Sequence, residues 1–215
     1  MLQLYLASVN QGKAREFQSA GLPHNIAVET VPRITELPAC REDGSTFEEN
    51  ACRKALHYSR YVADPVFADD SGICVEALGG APGIYSARFA GPRATDADNN
   101  SKLLAELRRV ADQAGARAKS EQTLAAGNAW AAYYDCVIAL ARQGIILALV
   151  EGRVEGQIVE TPRGSGGFGY DPYFFYPPLG RTLAELAPEE KFAVSHRGEA
   201  FRRLIAFIEE NPDVL

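Results

Sequence analysis

Two adjacent carboxylates, Asp69 and Asp70, follow the apolar run Val66-Phe67-Ala68 and are followed in turn by Ser71 and Gly72. Ionised aspartates do not enter an apolar interior without a cation or several hydrogen-bond donors to replace their lost hydration. The stretch therefore reads as a short strand running into a site that holds positive charge. Asp, Ser and Gly are also turn formers, because short polar side chains bond nearby backbone and Gly accepts positive φ. A plain turn is the competing reading, and the rest of the chain has to separate the two.

Other stretches carry residue types that suit an anionic ligand. The loop Ser8-Val9-Asn10-Gln11-Gly12-Lys13 leads into a helical stretch from Lys13 to Ala20. A loop that opens a helix aims backbone N–H groups and the helix dipole at its mouth, which suits phosphate. It is not a Walker loop, since Gly12-Lys13 is followed by Ala14 and no glycine lies five residues before Gly12. Lys13 reads equally as a surface lysine at a helix start. Glu42, in Arg41-Glu42-Asp43-Gly44-Ser45, is either a third carboxylate of the site or a solvated loop residue. Gly164 to Pro172 is too glycine-rich for regular structure, and glycines let backbone amides approach a ligand closely. Phe168, Tyr170 and Asp171 within it favour a ligand loop over a merely mobile one. Ser195 is a natural N-cap, which puts His196 and Arg197 in a first helical turn, where cations oppose the helix dipole. Binding would account for that placement. Arg88 reads first as a structural partner of the local aspartates and second as a phosphate ligand. Trp130, Tyr133 and Tyr134 fit a stacking platform, core packing or a dimer contact.

The elements that must position these groups follow from periodicity and caps. Leu2, Leu4 and Leu6 alternate as a first strand, and Asn25 to Val31 gives a second. Thr46-Phe47-Glu48-Glu49 is a capping box that starts a helix, with Ala51, Lys54, Ala55 and Tyr58 at helical spacing as far as about Val62. Thr95 to Val110 reads as a scaffold helix with Leu103, Leu104 and Leu107 in phase, and Ala111 to Gly127 as an exposed excursion without chemistry. Trp130 to Ala141 and Ile145 to Val159 are two long strands joined by Arg142-Gln143-Gly144. Pro188-Glu189-Glu190-Lys191 forms a helical turn, and Phe201, Leu204, Ile205 and Ile208 make the apolar face of the last helix.

Bulk numbers bound the function. A chain of 215 residues, 47% hydrophobic and 23% charged, suits one domain or two intimately packed lobes. A net charge of -6 argues against a protein that coats nucleic acid, so an anionic substrate needs local Lys, Arg or metal. Cys40, Cys52, Cys74 and Cys136 form no Cys-X-X-Cys pair, which leaves zinc little support and reduced thiols the expected state. The first residues lack a basic, apolar leader, and no run approaches the ~18 apolar residues of a membrane span. The expected address is the cytoplasm, with no membrane contact.

Six blocks, in this order, resemble the inosine triphosphate pyrophosphatase family over nearly the whole chain. They are Ser8 to Phe17, Thr46 to Ala51, Ala68 to Gly72, Leu78 to Arg88, Gly166 to Pro172, and Ser195-His196-Arg197-Gly198. Ser8-Val9 stands where Thr-Gly is more usual, and the excursion after Val110 is longer than usual. The resemblance implies an α/β fold: an elongated mixed β-sheet flanked by helices, forming one domain over residues 1–215 with an active-site cleft between two lobes. It implies Mg²⁺-dependent hydrolysis of ITP, dITP and XTP to the monophosphate and pyrophosphate, which cleanses the nucleotide pool, and a homodimer. By matching positions, Asp70 is the proton acceptor, Glu42 and Asp70 hold the metal, and Asp69 supports them. The loop Ser8, Val9, Asn10, Gln11, Gly12 and Lys13, together with Ser71, binds substrate, and Lys13 and Lys191 face the phosphates. Phe168, Gly169, Tyr170 and Asp171, with His196 and Arg197, take the base. An arginine donor at the 6-oxygen would reject adenine, whereas rejection of guanine has no residue assigned to it.

Overall fold

The computed structural model describes residues 1–118 and 130–214. Seven strands are present, β1 (Leu2–Leu6), β2 (Ile26–Thr30), β3 (Val66–Val75), β4 (Trp130–Arg142), β5 (Ile145–Ile158), β6 (Phe174–Tyr176) and β7 (Arg181–Thr182). They form one sheet in the order β2-β1-β3-β4-β5-β6-β7. Around them run α1 (Gln11–Gly21), α2 (Phe47–Tyr58), α3 (Asp96–Ala118), α4 (Pro188–Val194) and α5 (His196–Glu210). β1 pairs in parallel with β2 and β3, as strands joined through crossover helices must, whereas β6 pairs antiparallel with β5 and β7. The sheet is therefore mixed and the fold α/β, as the resemblance implies.

The chain divides into two compact units, one of Met1–Ser71, Asp135–Arg153 and Phe192–Leu215, the other of Gly72–Tyr134 and Val154–Lys191. The first unit has two apolar clusters. In one, Phe17 of α1, Phe67 of β3 and Phe201 of α5 are fully buried, with Phe17 edge-on to Phe67 at 5.0 Å between ring centres. Each such ring contributes about 1.5–3 kcal/mol through removal from water. Leu204, Ile205 and Ile208 join them, as the spacing of the last helix predicts. In the other cluster, Ala51 and Ala55 of α2 pack with Val31, Val66 and Ala68. In the second unit Ile73, Val75, Leu103, Leu107, Ile158 and Phe174 are buried, and Tyr134 lies 4.8 Å from Phe174 between ring centres. Both tyrosine and phenylalanine there serve core packing.

Three expectations are corrected. β3 does not turn at the acids but runs through Asp69, Asp70, Ser71 and Gly72 to Val75, because side-chain cations from distant helices meet the carboxylates. α2 stops at Tyr58 rather than Val62, where the Ser59 hydroxyl donates to the Leu56 carbonyl. α3 continues past Val110 to Ala118, where four alanines with Gln113 and Arg117 favour helix despite Gly115; the rest of the expected excursion, to Gly127, lies outside the described residues.

Candidate active site

Successive side chains on a strand point to opposite faces, so Asp69 and Asp70 separate. Asp69 shares its face with Phe67, toward α1 and α5; Asp70 shares the other with Val66 and Ala68, toward α2. Asp69 is 1% exposed, and its Oδ2 is 2.7 Å from Lys13 Nζ of α1 and 3.6 Å from Arg197 Nε of α5. The Ser71 hydroxyl donates to the same oxygen at 3.1 Å. Asp69 Oδ1 is buried and accepts no hydrogen bond among the described residues. Asp70 accepts from Lys54 Nζ at 2.9 Å and from the Asn50 amide at 3.1 Å, both on α2. Lys54 also donates to Glu42 Oε2 at 3.1 Å and to the Asp69 carbonyl at 2.7 Å. Glu42 and Asp70 thus converge on a single cation.

Their electrostatics differ accordingly. Burial pushes the Asp70 carboxyl above the usual range, and Lys54, Lys13 and Asn50 offset only part of that. Burial acts the same way on Asp69, but Lys13, Arg197 and Lys54 outweigh it and hold that carboxyl well below the usual range. Burial alone would also discharge Lys54; Asp70, Glu42 and Asp69 outweigh it and raise the ammonium above an ordinary lysine. One aspartate is fixed as an anion while its neighbour is the more basic carboxylate.

The phosphate-type loop is built by its own helix. Asn10 caps α1, its Oδ1 accepting from Gly12 N–H at 2.8 Å and Lys13 N–H at 3.1 Å, while Asn10 N–H donates to the Ser8 hydroxyl at 3.1 Å. Asn10 therefore shapes the loop with its side chain, leaving Val9 and Gln11 exposed and Lys13 reaching Asp69. Ser195 caps α5 by accepting from Gly198 N–H at 3.1 Å, as expected. Gly198 is required there, since a Cβ would stand 1.7 Å from the Phe192 carbonyl oxygen. His196 and Arg197 are buried, and Arg197 donates to Glu16 Oε2 at 2.5 Å and to the Ser71 hydroxyl at 3.2 Å. The structure thus seats Arg197 with the acids of the first unit, which is what stabilises its charge in a helix's first turn.

The second group lies wholly in the second unit. Asp171 Oδ2 accepts from Phe168 N–H at 2.9 Å and from Lys191 Nζ at 2.6 Å, and Lys191 Nζ lies 4.6 Å from the Phe168 ring centre. Lys191 is thereby brought to the aromatic loop. Gly167 has φ +68° and a Cβ there would stand 2.1 Å from Asp171 Oδ2, so the loop closes on its own carboxylate only with glycine. Tyr170 is 4% exposed and donates its hydroxyl to the Ser86 carbonyl at 2.8 Å, which leaves Phe168 as the half-exposed ring of the loop. Arg88 lies over the Tyr85 ring at 5.2 Å.

Lys54, Asn50 and Glu16 are members of the first group that the motifs did not single out. Lys54 had a signal: it falls in phase with Ala51, Ala55 and Tyr58, and a lysine on a buried helix face needs acids opposite it. Asn50 and Glu16 had none.

Known proteins resemble this chain along almost its whole length. The sequence profile of the Ham1 family matches residues 4–207. The dITP/XTP pyrophosphatase of Geobacillus kaustophilus is 44% identical over 204 residues, covering 95% of this chain and 93% of that protein. The dITP/XTP pyrophosphatase of Burkholderia pseudomallei is 46% identical over 215 aligned positions, covering 97% and 94%. Among solved structures, a HAM1 protein from Coxiella burnetii superposes with a TM-score of 0.79 at 38% identity, over 98% of this chain and all (100%) of that one. With a match along almost its full length, the chain belongs to the Ham1 family.

Proposed function

We propose that the chain hydrolyses the anhydride between the α- and β-phosphates of deaminated purine nucleoside triphosphates, ITP, dITP and XTP, releasing the monophosphate and pyrophosphate. The pyrophosphatase activity for which its relatives are named supports the reaction class. The observation that carries the reading is the division of labour on β3, where an Asp69 surrounded by cations neighbours an Asp70 of raised basicity, each held by its own lysine. Asp70 accepts the proton of the attacking water as the new P–O bond forms, and pyrophosphate leaves with the electrons of the anhydride bond. Lys13 and the N–H groups at the start of α1 hold phosphate oxygens. Asn50 and Lys54 fix the Asp70 carboxylate in one orientation.

The residues fit Mg²⁺ in the mode that uses one or two carboxylates with substrate phosphates and waters completing the shell. Glu42 Oε2 and Asp70 Oδ1 already converge on one cation, so they would hold the ion. No cage of three or more His, Cys, Asp or Glu occurs among the described residues. When bound, the ion would polarise the phosphate and neutralise charge developing on it. On the base side, Phe168 supplies a ring for stacking and Asp171 with Lys191 sets the loop. His196 and Arg197 remain assigned to substrate, Arg197 through Ser71 and Asp69.

The same reading makes the protein a cytoplasmic homodimer that cleanses the nucleotide pool. No helix among the described residues is long and apolar enough to cross a membrane, and gel filtration with light scattering tests the dimer. Function is tested by a panel of ITP, XTP and dITP against ATP, GTP, CTP and UTP with Mg²⁺. Turnover confined to the deaminated purines is expected, and equal turnover of GTP would overturn the assignment.

A further inference from the structure

We infer that Asp96 and Asn100 are positioning residues that set base selectivity by clamping the aromatic loop at Gly169. The inference rests on the reading that this loop takes the nucleobase. Asp96 and Asn100 lie four residues apart on α3, hence on one face of the helix. Asp96 Oδ2 accepts from Gly169 N–H at 2.7 Å, and the Asn100 amide donates to the Gly169 carbonyl at 2.9 Å. Both polar ends of one loop residue are thus tied to a rigid helix. Gly169 stands between Phe168, the half-exposed ring, and Tyr170, whose hydroxyl is anchored on Ser86. Asp171 fastens the loop from within and Lys191 of α4 from one side, while α3 fastens it at the Gly169 peptide, next to Phe168.

The two contacts differ in character. Asn100 is 8% exposed, and its donor is committed to Gly169 while its Oδ1 is buried without a hydrogen bond among the described residues, so its side chain is oriented for the loop and not for α3. Asp96 is exposed, but its contact is a carboxylate accepting a backbone N–H, a stronger class of bond than a neutral pair. Capping of α3 is handled separately, by Thr95 and Asp98, whose side chains bond each other's backbone N–H groups or hydroxyl. Asp96 is therefore available to the loop. A ring held in one place stacks on a base in one register and exposes a fixed set of base edges; a ring that shifts accepts other bases.

The test compares Asp96→Ala, Asn100→Asp and the conservative Asp96→Asn, which keeps an acceptor for Gly169 N–H, with Asp98→Ala as a variant that weakens only the helix start. Hydrogen exchange of the Gly169 amide is read first, without nucleotide. Asp96→Ala should accelerate it about tenfold, the scale of one lost hydrogen bond, and Asp96→Asn should restore protection. With ITP and GTP as substrates, Asp96→Ala and Asn100→Asp should raise KM for ITP and lower the ITP:GTP ratio of kcat/KM by about tenfold, with kcat for ITP nearly unchanged. Asp98→Ala should lower the melting temperature without moving the ratio. Wild-type protein that fails to turn over ITP would refute the functional reading, and the exchange result would still decide whether the clamp exists. Exchange unchanged in Asp96→Ala, or an ITP:GTP ratio that Asp98→Ala moves as far as Asp96→Ala, would overturn the inference.

Discussion

Lys13–Asp69 and Lys191–Asp171 are buried ion pairs of nearly the same length, 2.7 and 2.6 Å, in different units of the chain. Asp69 sits on a regular strand among the charges of three cations, Lys13, Arg197 and Lys54, and its backbone carbonyl serves Lys54. Asp171 sits in an irregular loop, is paired with Lys191, and uses the same oxygen to hold the Phe168 N–H. The first pair is part of a redundant charge network on a rigid support. The second is a clasp that gives a glycine-rich loop its shape. Equal distances therefore predict unequal consequences when each is broken.

The largest effect belongs to the neighbour of the first pair. Asp70→Asn should lower kcat by about 10²–10⁴ with little change in nucleotide affinity, because it removes the proton acceptor and keeps the side chain's shape. Phe168→Ala should do the converse, raising KM more than it lowers kcat; steady-state kinetics on both variants would break the comparison if the two patterns were exchanged. In stability, Lys191→Met should cost about 3–5 kcal/mol, since it removes one partner of a buried ion pair. Lys13→Met should cost less, about 1–3 kcal/mol, because Arg197 and Lys54 still face Asp69. Urea unfolding monitored by circular dichroism measures both, and a costlier Lys13→Met would show that the charges around Asp69 are not redundant.

Dependence on pH sharpens the contrast further. The Asp69 carboxyl is held below its unfolded value of about 3.9. Its contribution to stability is therefore present above that value and disappears as pH falls through the folded one. The stability gap between wild type and Asp69→Asn should be widest near neutrality and narrow below about pH 4; a gap independent of pH would contradict the assignment. The smallest effect is on thiols. Cys136 in the first unit and Cys74 in the second are buried, and burial pushes the Cys136 thiol up from its usual range. Each should react with a thiol reagent only when its own unit opens. Mass spectrometry of labelled peptides should then find Cys74 faster in Lys191→Met and Cys136 faster in Lys13→Met.

Local patterns made much of the scaffold legible. The capping residues Thr46 and Ser195, the alternation at Leu2, Leu4 and Leu6, and the apolar face of α5 all lie within a few residues of what they organise. The acids were found as acids, but their backbone was not. A strand through Asp69-Asp70-Ser71-Gly72 contradicts local turn preference and is stabilised by Lys13, Lys54 and Arg197, which only tertiary structure brings near. For the same reason Glu16 and Asn50 escaped notice: on their own helices they are ordinary polar residues. Lys191 and Arg197 were singled out as substrate-binding cations, and which protein carboxylate each meets, Asp171 for one and Glu16 with Asp69 for the other, depends on packing that no short window contains.

The central claim, that the β3 acids direct water to the bond between the α- and β-phosphates, is tested most directly by the products of a single turnover of ITP with Mg²⁺, resolved by ³¹P NMR. IMP and pyrophosphate in equal amounts, with no IDP at any time and turnover by Asp70→Asn slowed about 10²–10⁴-fold, is the predicted result. IDP with orthophosphate, or the same products at an undiminished rate from Asp70→Asn, would contradict it.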